Sequence, residues 1–241
     1  MLNTILVILY IVPATAVMAT LTIILACFSK TGNAPHRVAR LWARSILLVA
    51  RIKVQVKGLE HIDPRRSYIF MANHQSNFDI PVLLGHLDVQ FRWLAKAELF
   101  KIPIFGRGMR GCGYISIDRS DRRAAIESIR QAAQTIRNGT SVLIFPEGTR
   151  SYDGRIQEFK KGGFYLARKS GVPIVPVIIR GTWAVMPRNS LRIRPGRVAI
   201  EVKAPIETSG FEGRAKNALM AHVHRVISDA FYGHGDNGAS C

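Results

Sequence analysis

Residues 73–79 read Asn-His-Gln-Ser-Asn-Phe-Asp, with a histidine five residues before an aspartate where an apolar run gives way to a polar turn. A carboxylate on one imidazole nitrogen fixes the tautomer and raises the basicity of the other nitrogen, which is what a general base needs. His74 and Asp79 could equally be a buried structural pair, and spacing alone does not choose. Seven histidines, each with about a 5% chance of an aspartate at a fixed offset, give such a match in roughly one chain in three. The same spacing recurs at His224 and Asp229. That second pair lies in a continuous helical pattern, where five residues set side chains about 140° apart, so it reads as surface or packing. Only their company can distinguish His74 and Asp79.

Three further clusters supply that company. Phe145 to Ser151 reads Phe-Pro-Glu-Gly-Thr-Arg-Ser. It combines a glutamate, a glycine that lets backbone N–H groups approach a ligand, a hydroxyl and an arginine. Alone, Pro146-Glu147-Gly148-Thr149 could be no more than a β-turn. Gly113 to Arg119 ends another candidate strand in an arginine, and Val172 to Val177 carries two prolines in an apolar run. Those prolines suggest an edge strand or an irregular hydrophobic wall.

The elements that must position these residues follow from periodicity. Ile52, Val54 and Val56 alternate with polar residues as in a strand. Buried strands are expected at Ser67 to Ala72 and Ser141 to Phe145, and further strands at Gly113 to Ile117, Pro173 to Ile179 and Arg197 to Lys203. Helices are expected from about Phe78 to Leu87, over 121–138 with Gly139 as the stop, over 160–170 before Gly171, and over 212–232. Strands alternating with helices predict an α/β domain with a mostly parallel mixed sheet flanked by helices. In such folds chemistry collects where strands hand over to helices, and the polar clusters stand there.

The chain has 241 residues and a net charge of +18, which points to nucleic acid, an anionic membrane or phosphorylated substrates. Residues 1–29 carry no charged side chain, and Ile5 to Phe28 is long enough to cross about 30 Å of hydrocarbon. Pro13 predicts a kink or a re-entrant segment. A cleaved signal peptide fits less well, because no basic residue precedes the apolar run. Lys30 to Arg66 holds nine Lys/Arg against two acids, which predicts a membrane localisation with the rest of the chain on the cytoplasmic face, the inner membrane in a bacterium. Arg37, Arg40, Arg44 and Arg51 share one helical face, and Val38, Trp42, Ile46 and Val49 another. Such a helix suits a headgroup layer, although an ordinary core helix with a solvated charged face has the same pattern. The organisation expected is therefore membrane-associated helices over 1–51, the α/β domain over 52–232 and a disordered tail over 233–241. Cys27, Cys112 and Cys241 form neither a disulfide framework nor a metal pattern, which predicts a reducing setting.

Taken in order and spacing, the four clusters resemble the four motif blocks of the glycerolipid acyltransferase family, over roughly residues 50–205. The first and third blocks are the specific ones. Ser116 stands where the family usually has phenylalanine. The resemblance implies a fold like that of glycerol-3-phosphate acyltransferase. It also implies acyl transfer from acyl-CoA or acyl carrier protein to the free hydroxyl of a lysophospholipid such as lysophosphatidate, with no cofactor and no metal. His74 would be the base and Asp79 its orienter. Glu147 and Gly148 would help bind the acceptor, with Thr149 beside them. Arg150 and Arg119 would hold its phosphate, and Lys96 falls where some relatives carry a phosphate-contacting lysine. Lyso-ornithine lipid is an alternative acceptor, since arginines also bind carboxylates. Nucleic acid is not an expected partner, because the chain has no recognition-helix, zinc or aromatic-stacking pattern. A member that binds lipid without catalysis would have lost the histidine. Lys160 and Lys161 would extend the anion site or serve as surface charge, His86 reads as structural, and nothing marks Cys112 as a nucleophile.

Overall fold

The computed structural model describes residues 1–29, 31–118, 122–211 and 216–233. Strands β1 (Ile52–Lys57), β2 (Ile69–Ala72), β3 (Arg92–Lys96), β4 (Ile115–Ile117), β5 (Val142–Ile144), β6 (Ile174–Arg180) and β7 (Gly196–Val202) form one sheet in the order β1-β7-β6-β2-β5-β3-β4. Every pairing is parallel except β6 with β7. The mostly parallel mixed sheet is thus as the alternation of elements predicts.

Strand β2 sits at the centre and is buried throughout. Its alternation feeds two cores. Phe70 and Ala72 join the helices α2 (Asn33–Val49) and α3 (Asp79–His86), while Ile69 and Met71 face α5 (Arg122–Arg137), α6 (Lys161–Ser170) and α8 (Lys216–Tyr232). The first core runs on without a break into the N-terminal helices through Val7, Ala43, Ile46 and Leu47.

One expectation is corrected, that of an edge strand. The proline-bearing run is β6, which lies between β7 and β2 and is no edge. Pro176 is tolerated there because its missing N–H faces the interval between the Ile174–Ile206 bridge and the β7 ladder, while its carbonyl accepts the Lys203 N–H at 3.0 Å. The helix α1 (Leu2–Ala26) runs unbroken through Pro13. The basic helix, for its part, is only half free. Arg40 pairs with Asp88 at 2.7 Å, Arg44 donates to the Gly85 carbonyl, and Arg51 lies beyond the helix end at φ 56°. Trp42 turns toward α1 and donates its indole N–H to Thr15 at 3.0 Å.

Strand β3 and the short helices α4 (Phe105–Gly111) and α7 (Thr182–Val185) have no counterpart in the pattern of the sequence. Ser116 is exposed on β4, so a phenylalanine is not needed there for the core. The C-terminal helix is described from Lys216, and 212–215, together with 234–241 of the tail expected over 233–241, lie outside the described residues.

Candidate active site

Sheet order explains how distant clusters meet. Strands β2, β5, β3 and β4 are consecutive neighbours and all parallel. Their C-terminal ends therefore deliver His74, the Glu147–Arg150 turn, Lys96 and the Asp118 region to one edge of the sheet. Arg119 itself lies outside the described residues.

The His74 loop is stapled at several points. Beyond the end of β2, the Asn73 amide donates to the Ile179 carbonyl at 2.9 Å and accepts the Ile179 N–H at 2.7 Å, extending the β2–β6 ladder by one rung. Ser76 Oγ donates to the Met186 carbonyl at 2.7 Å. Asp79 is fully buried at the start of α3, where the helix N-terminus favours a carboxylate. Its Oδ2 accepts the N–H groups of Gln75 at 2.6 Å and Ser76 at 2.8 Å, and it meets His74 Nδ1 at 2.8 Å. An oxygen already accepting two donors must accept from the ring as well. Nδ1 therefore carries a hydrogen, and in the neutral ring Nε2 is left with the lone pair. The imidazole lies flat on Phe145, with centroids 3.8 Å apart and planes 8° from parallel, so its orientation is held from a second direction.

Glu147 is 1% exposed and turned toward the backbone. One carboxyl oxygen accepts the His74 N–H at 2.6 Å and the other the Gln157 N–H at 2.9 Å. Burial pushes its carboxyl up to about 7 against the pull of those two hydrogen bonds, with the Asp79 charge adding to the rise. The His74 carbonyl accepts the Ser151 N–H at 2.8 Å, so strands β2 and β5 are cross-tied at His74 itself.

Gly148 adopts φ 71°, and a Cβ there would stand 2.9 Å from Lys160 Cδ. Glycine is favoured there by its positive φ, and the Lys160 side chain lies over it. The Gly148 N–H donates to the Phe145 carbonyl, and those of His74, Gln75, Ser76 and Phe78 are likewise spent within the protein. These backbone groups hold the loops and are not free to receive an oxyanion.

His74, Lys96, Gly148, Thr149, Arg150 and Lys160 open onto one cleft of about 820 Å³. Its far wall is apolar and comes from α1, α2 and α4, including Met18, Trp42 and Met109. Asp79 and Glu147 stand behind this surface. Lys161 starts α6 outside it. Arg188 is a cleft residue that the pattern of the sequence does not reveal. Its guanidinium donates to Thr149 Oγ1 at 3.1 Å and the Arg150 carbonyl at 2.7 Å, and it stacks on Tyr152 at 3.7 Å. Only the basic residue after Pro187 could have hinted at it.

The remaining histidines and cysteines do other things. His224 meets the edge of Phe159 at 4.8 Å and lies 3.4 Å from Ser228 Oγ, on one continuous helix with Asp229. Burial lowers the His86 pKa, consistent with a structural place. Cys112 is buried and its thiol is pushed up to about 12 by burial, which removes it as a nucleophile. Among the described residues no group of three or more potential metal ligands occurs.

The geometry is that of an α/β sheet with a buried carboxylate holding a histidine at a half-apolar cleft, and comparison with known proteins gives the class. Residues 53–180 match the acyltransferase family model, and the chain belongs to that family. It is 38% identical over 176 residues to the chloroplastic 1-acyl-sn-glycerol-3-phosphate acyltransferase LPAT1 of Arabidopsis thaliana, a match covering 72% of this chain and 49% of that protein. It is 32% identical to the alpha form of that enzyme from Bos taurus, covering 81% of this chain and 68% of the relative. The crystal structure of the 1-acyl-sn-glycerophosphate (LPA) acyltransferase PlsC from Thermotoga maritima superposes with a TM-score of 0.84 at 27% identity, covering 99% of this chain and 97% of that one. The plant and algal relatives are longer, and the chain spans about half their length.

Proposed function

We propose that this protein transfers an acyl group from a thioester, acyl-CoA or acyl carrier protein, to the sn-2 hydroxyl of lysophosphatidate, giving phosphatidate. The observation that carries the reading is the fixed His74–Asp79 pair opening on a cleft with cationic groups at one end and an apolar wall at the other. His74 Nε2 removes the hydroxyl proton as that oxygen bonds to the thioester carbon. The C–S bond then breaks, and the imidazolium returns the proton to the departing thiolate. The thioester is already activated, so a positioned base and a positioned pair of reactants suffice.

In this reading Asp79 and Glu147 are positioning residues. Glu147 holds the His74 backbone from behind and does not touch the acceptor. Arg150, Lys160 and Lys96 supply the charge for the acceptor phosphate, and Gly148 and Thr149 shape its turn. The role of Arg119 rests on the family resemblance alone. Arg188 steadies the turn that carries Arg150. Arg188→Met is accordingly expected to raise KM for lysophosphatidate about tenfold, the equivalent of one charge-assisted hydrogen bond, with a smaller change in kcat. Steady-state kinetics in mixed micelles would check it.

Membrane association is part of the proposal, with residues 1–51 as the associated portion. The helix α1 is the one described element apolar and long enough to cross a membrane, and only 17% of its apolar window is buried. Yet Asn3 and Thr4 bond to Ile193 at one end, and Ala19 and Thr22 pack on α4 near the other. Crossing would drag domain surface into hydrocarbon at both ends. Lying in one leaflet, with Leu9, Val12, Val17 and Ile24 toward the lipid, satisfies both sets of contacts. The basic residues after α1 favour the cytoplasmic side.

The test is acyl transfer by the detergent-solubilised protein with labelled acyl-CoA and acyl carrier protein donors, lysophosphatidate and lyso-ornithine lipid competing as acceptors. Phosphatidate is expected as the main product. Preference for the aminolipid would keep the chemistry and overturn the acceptor, and no acylated product from either would overturn the reading.

A further inference from the structure

Between β3 and α4 the chain forms a tip that the catalytic reading does not use. Leu99, Ile102 and Ile104 are 39%, 46% and 47% exposed, with Pro103 exposed among them. Lys101 and Arg107 are exposed on either side. The tip is braced from beneath, since Phe100 is buried and its carbonyl accepts the Arg110 guanidinium at 2.8 Å. Gly106 packs so closely on that carbonyl that a Cβ would stand 2.2 Å away. Ile104 adopts φ 61°, ψ −60°, and the Phe105 N–H bonds back to the Pro103 carbonyl at 2.6 Å. This is a γ-turn of the rare positive-φ kind, and a β-branched residue in it is strained. Strain that holds a large apolar side chain in water calls for a partner that rewards its exposure.

We propose that Leu99–Phe105 is a membrane-inserting wedge that enters an anionic lipid leaflet beside α1, a proposal that rests on the membrane reading above. The helix α4, which begins at Phe105, is held to α1 by small residues. A Cβ on Gly108 would stand 2.7 Å from Thr22 Oγ1, and one on Gly111 would stand 2.9 Å from Ala26 Cβ. The wedge is therefore continuous with the half of α1 that exposes Val17, Leu21 and Ile24. Apolar tip and basic collar match the two layers of such a leaflet, with Leu99, Ile102 and Ile104 toward the acyl chains and Lys101 and Arg107 among the phosphates. Leu99 and Phe105 also line the cleft, so the wedge flanks its mouth and gives lipids a route between leaflet and site. An acidic carrier protein is the competing partner for a basic collar. Continuity with the apolar face of α1 favours lipid.

Ile102→Trp in the full chain, reconstituted into phosphatidylglycerol/phosphatidylcholine vesicles, tests the wedge. Acyl chains brominated near the glycerol end are expected to quench the introduced indole by about half or more, as for a side chain seated at the acyl boundary. Val12→Trp reports on α1, Tyr165→Trp serves as a control on α6, and Leu99→Trp repeats the reading across the tip. The emission of Trp42, Trp93 and Trp183 is subtracted using the parent chain. Quenching at position 12 but not at 102 or 99 overturns the wedge and leaves the membrane reading intact. Quenching at none of them overturns both. A response at 102 only to added acyl carrier protein replaces the lipid with a protein partner.

Discussion

His74→Ala is expected to lower kcat by about 10²–10⁴-fold, the usual worth of a positioned base, while the protein keeps its thermal unfolding midpoint and its affinity for vesicles. The side chain is 13% exposed, so its loss opens onto the cleft and leaves no sealed cavity. Asp79→Asn should behave differently. The carboxylate is completely buried, and one oxygen serves two backbone N–H groups and the ring. An amide oxygen in its place keeps the backbone donors but weakens each bond, while an amide nitrogen there would face them. Either way the drive to keep the hydrogen on Nδ1 falls. Activity is expected to drop on a similar scale, with a stability loss of about 1–3 kcal/mol that His74→Ala does not show. Calorimetry beside kinetics separates the two. Near-wild-type turnover in His74→Ala would remove the base from the mechanism.

The second large effect concerns Glu147. Its carboxyl titrates near 7 in the folded protein, against 4.5 ordinarily, chiefly through burial. Because the folded value is the raised one, its favourable contribution is fully present below about 4.5 and is lost as pH climbs through 7. The integrated loss is about 3 kcal/mol. Glu147→Gln resembles the protonated acid in shape and does not titrate. Its amide nitrogen cannot accept, so one of the two backbone N–H groups loses its partner and the variant starts less stable at pH 5, while the wild type is expected to fall relative to it between pH 5 and pH 8. Parallel curves across that interval would refute the assignment. Glu147→Ala should be worse at any pH, since the His74 and Gln157 N–H groups would both be left buried without an acceptor, at about 1–3 kcal/mol each.

Much of this was legible in the residues. Ile69–Ala72 and Val142–Ile144 are short apolar runs ending in polar turns, and they are the two central strands that carry His74 and the Glu147 that braces it. Strand β3 was hidden because it opens on Arg92, a cation that hydropathy puts outside. Arg92 is only 5% exposed, its guanidinium met by Gln90, the Phe91 and Thr31 carbonyls and Asn33. Helix α4 was hidden by glycines that read as loop but serve close packing on α1. The direction of Glu147 could not be read either. A glutamate one residue before a glycine looks the same whether it faces a ligand or the backbone behind it, and only the neighbouring strand decides.

The contact of Asn3 and Thr4 with Ile193 has a consequence for synthesis. The two partners are separated by about 190 residues of chain. At ~5–20 residues per second, α1 leaves the ribosome roughly 10–40 s before its dock exists. Strand β1 waits in the same way, since its sheet neighbour is β7. Through that interval α1 has its neighbour α2 to pack on but not its Ile193 contact. On the membrane reading proposed above, a leaflet would cover the exposed face of α1 over the same interval, holding the nascent chain until the dock is made.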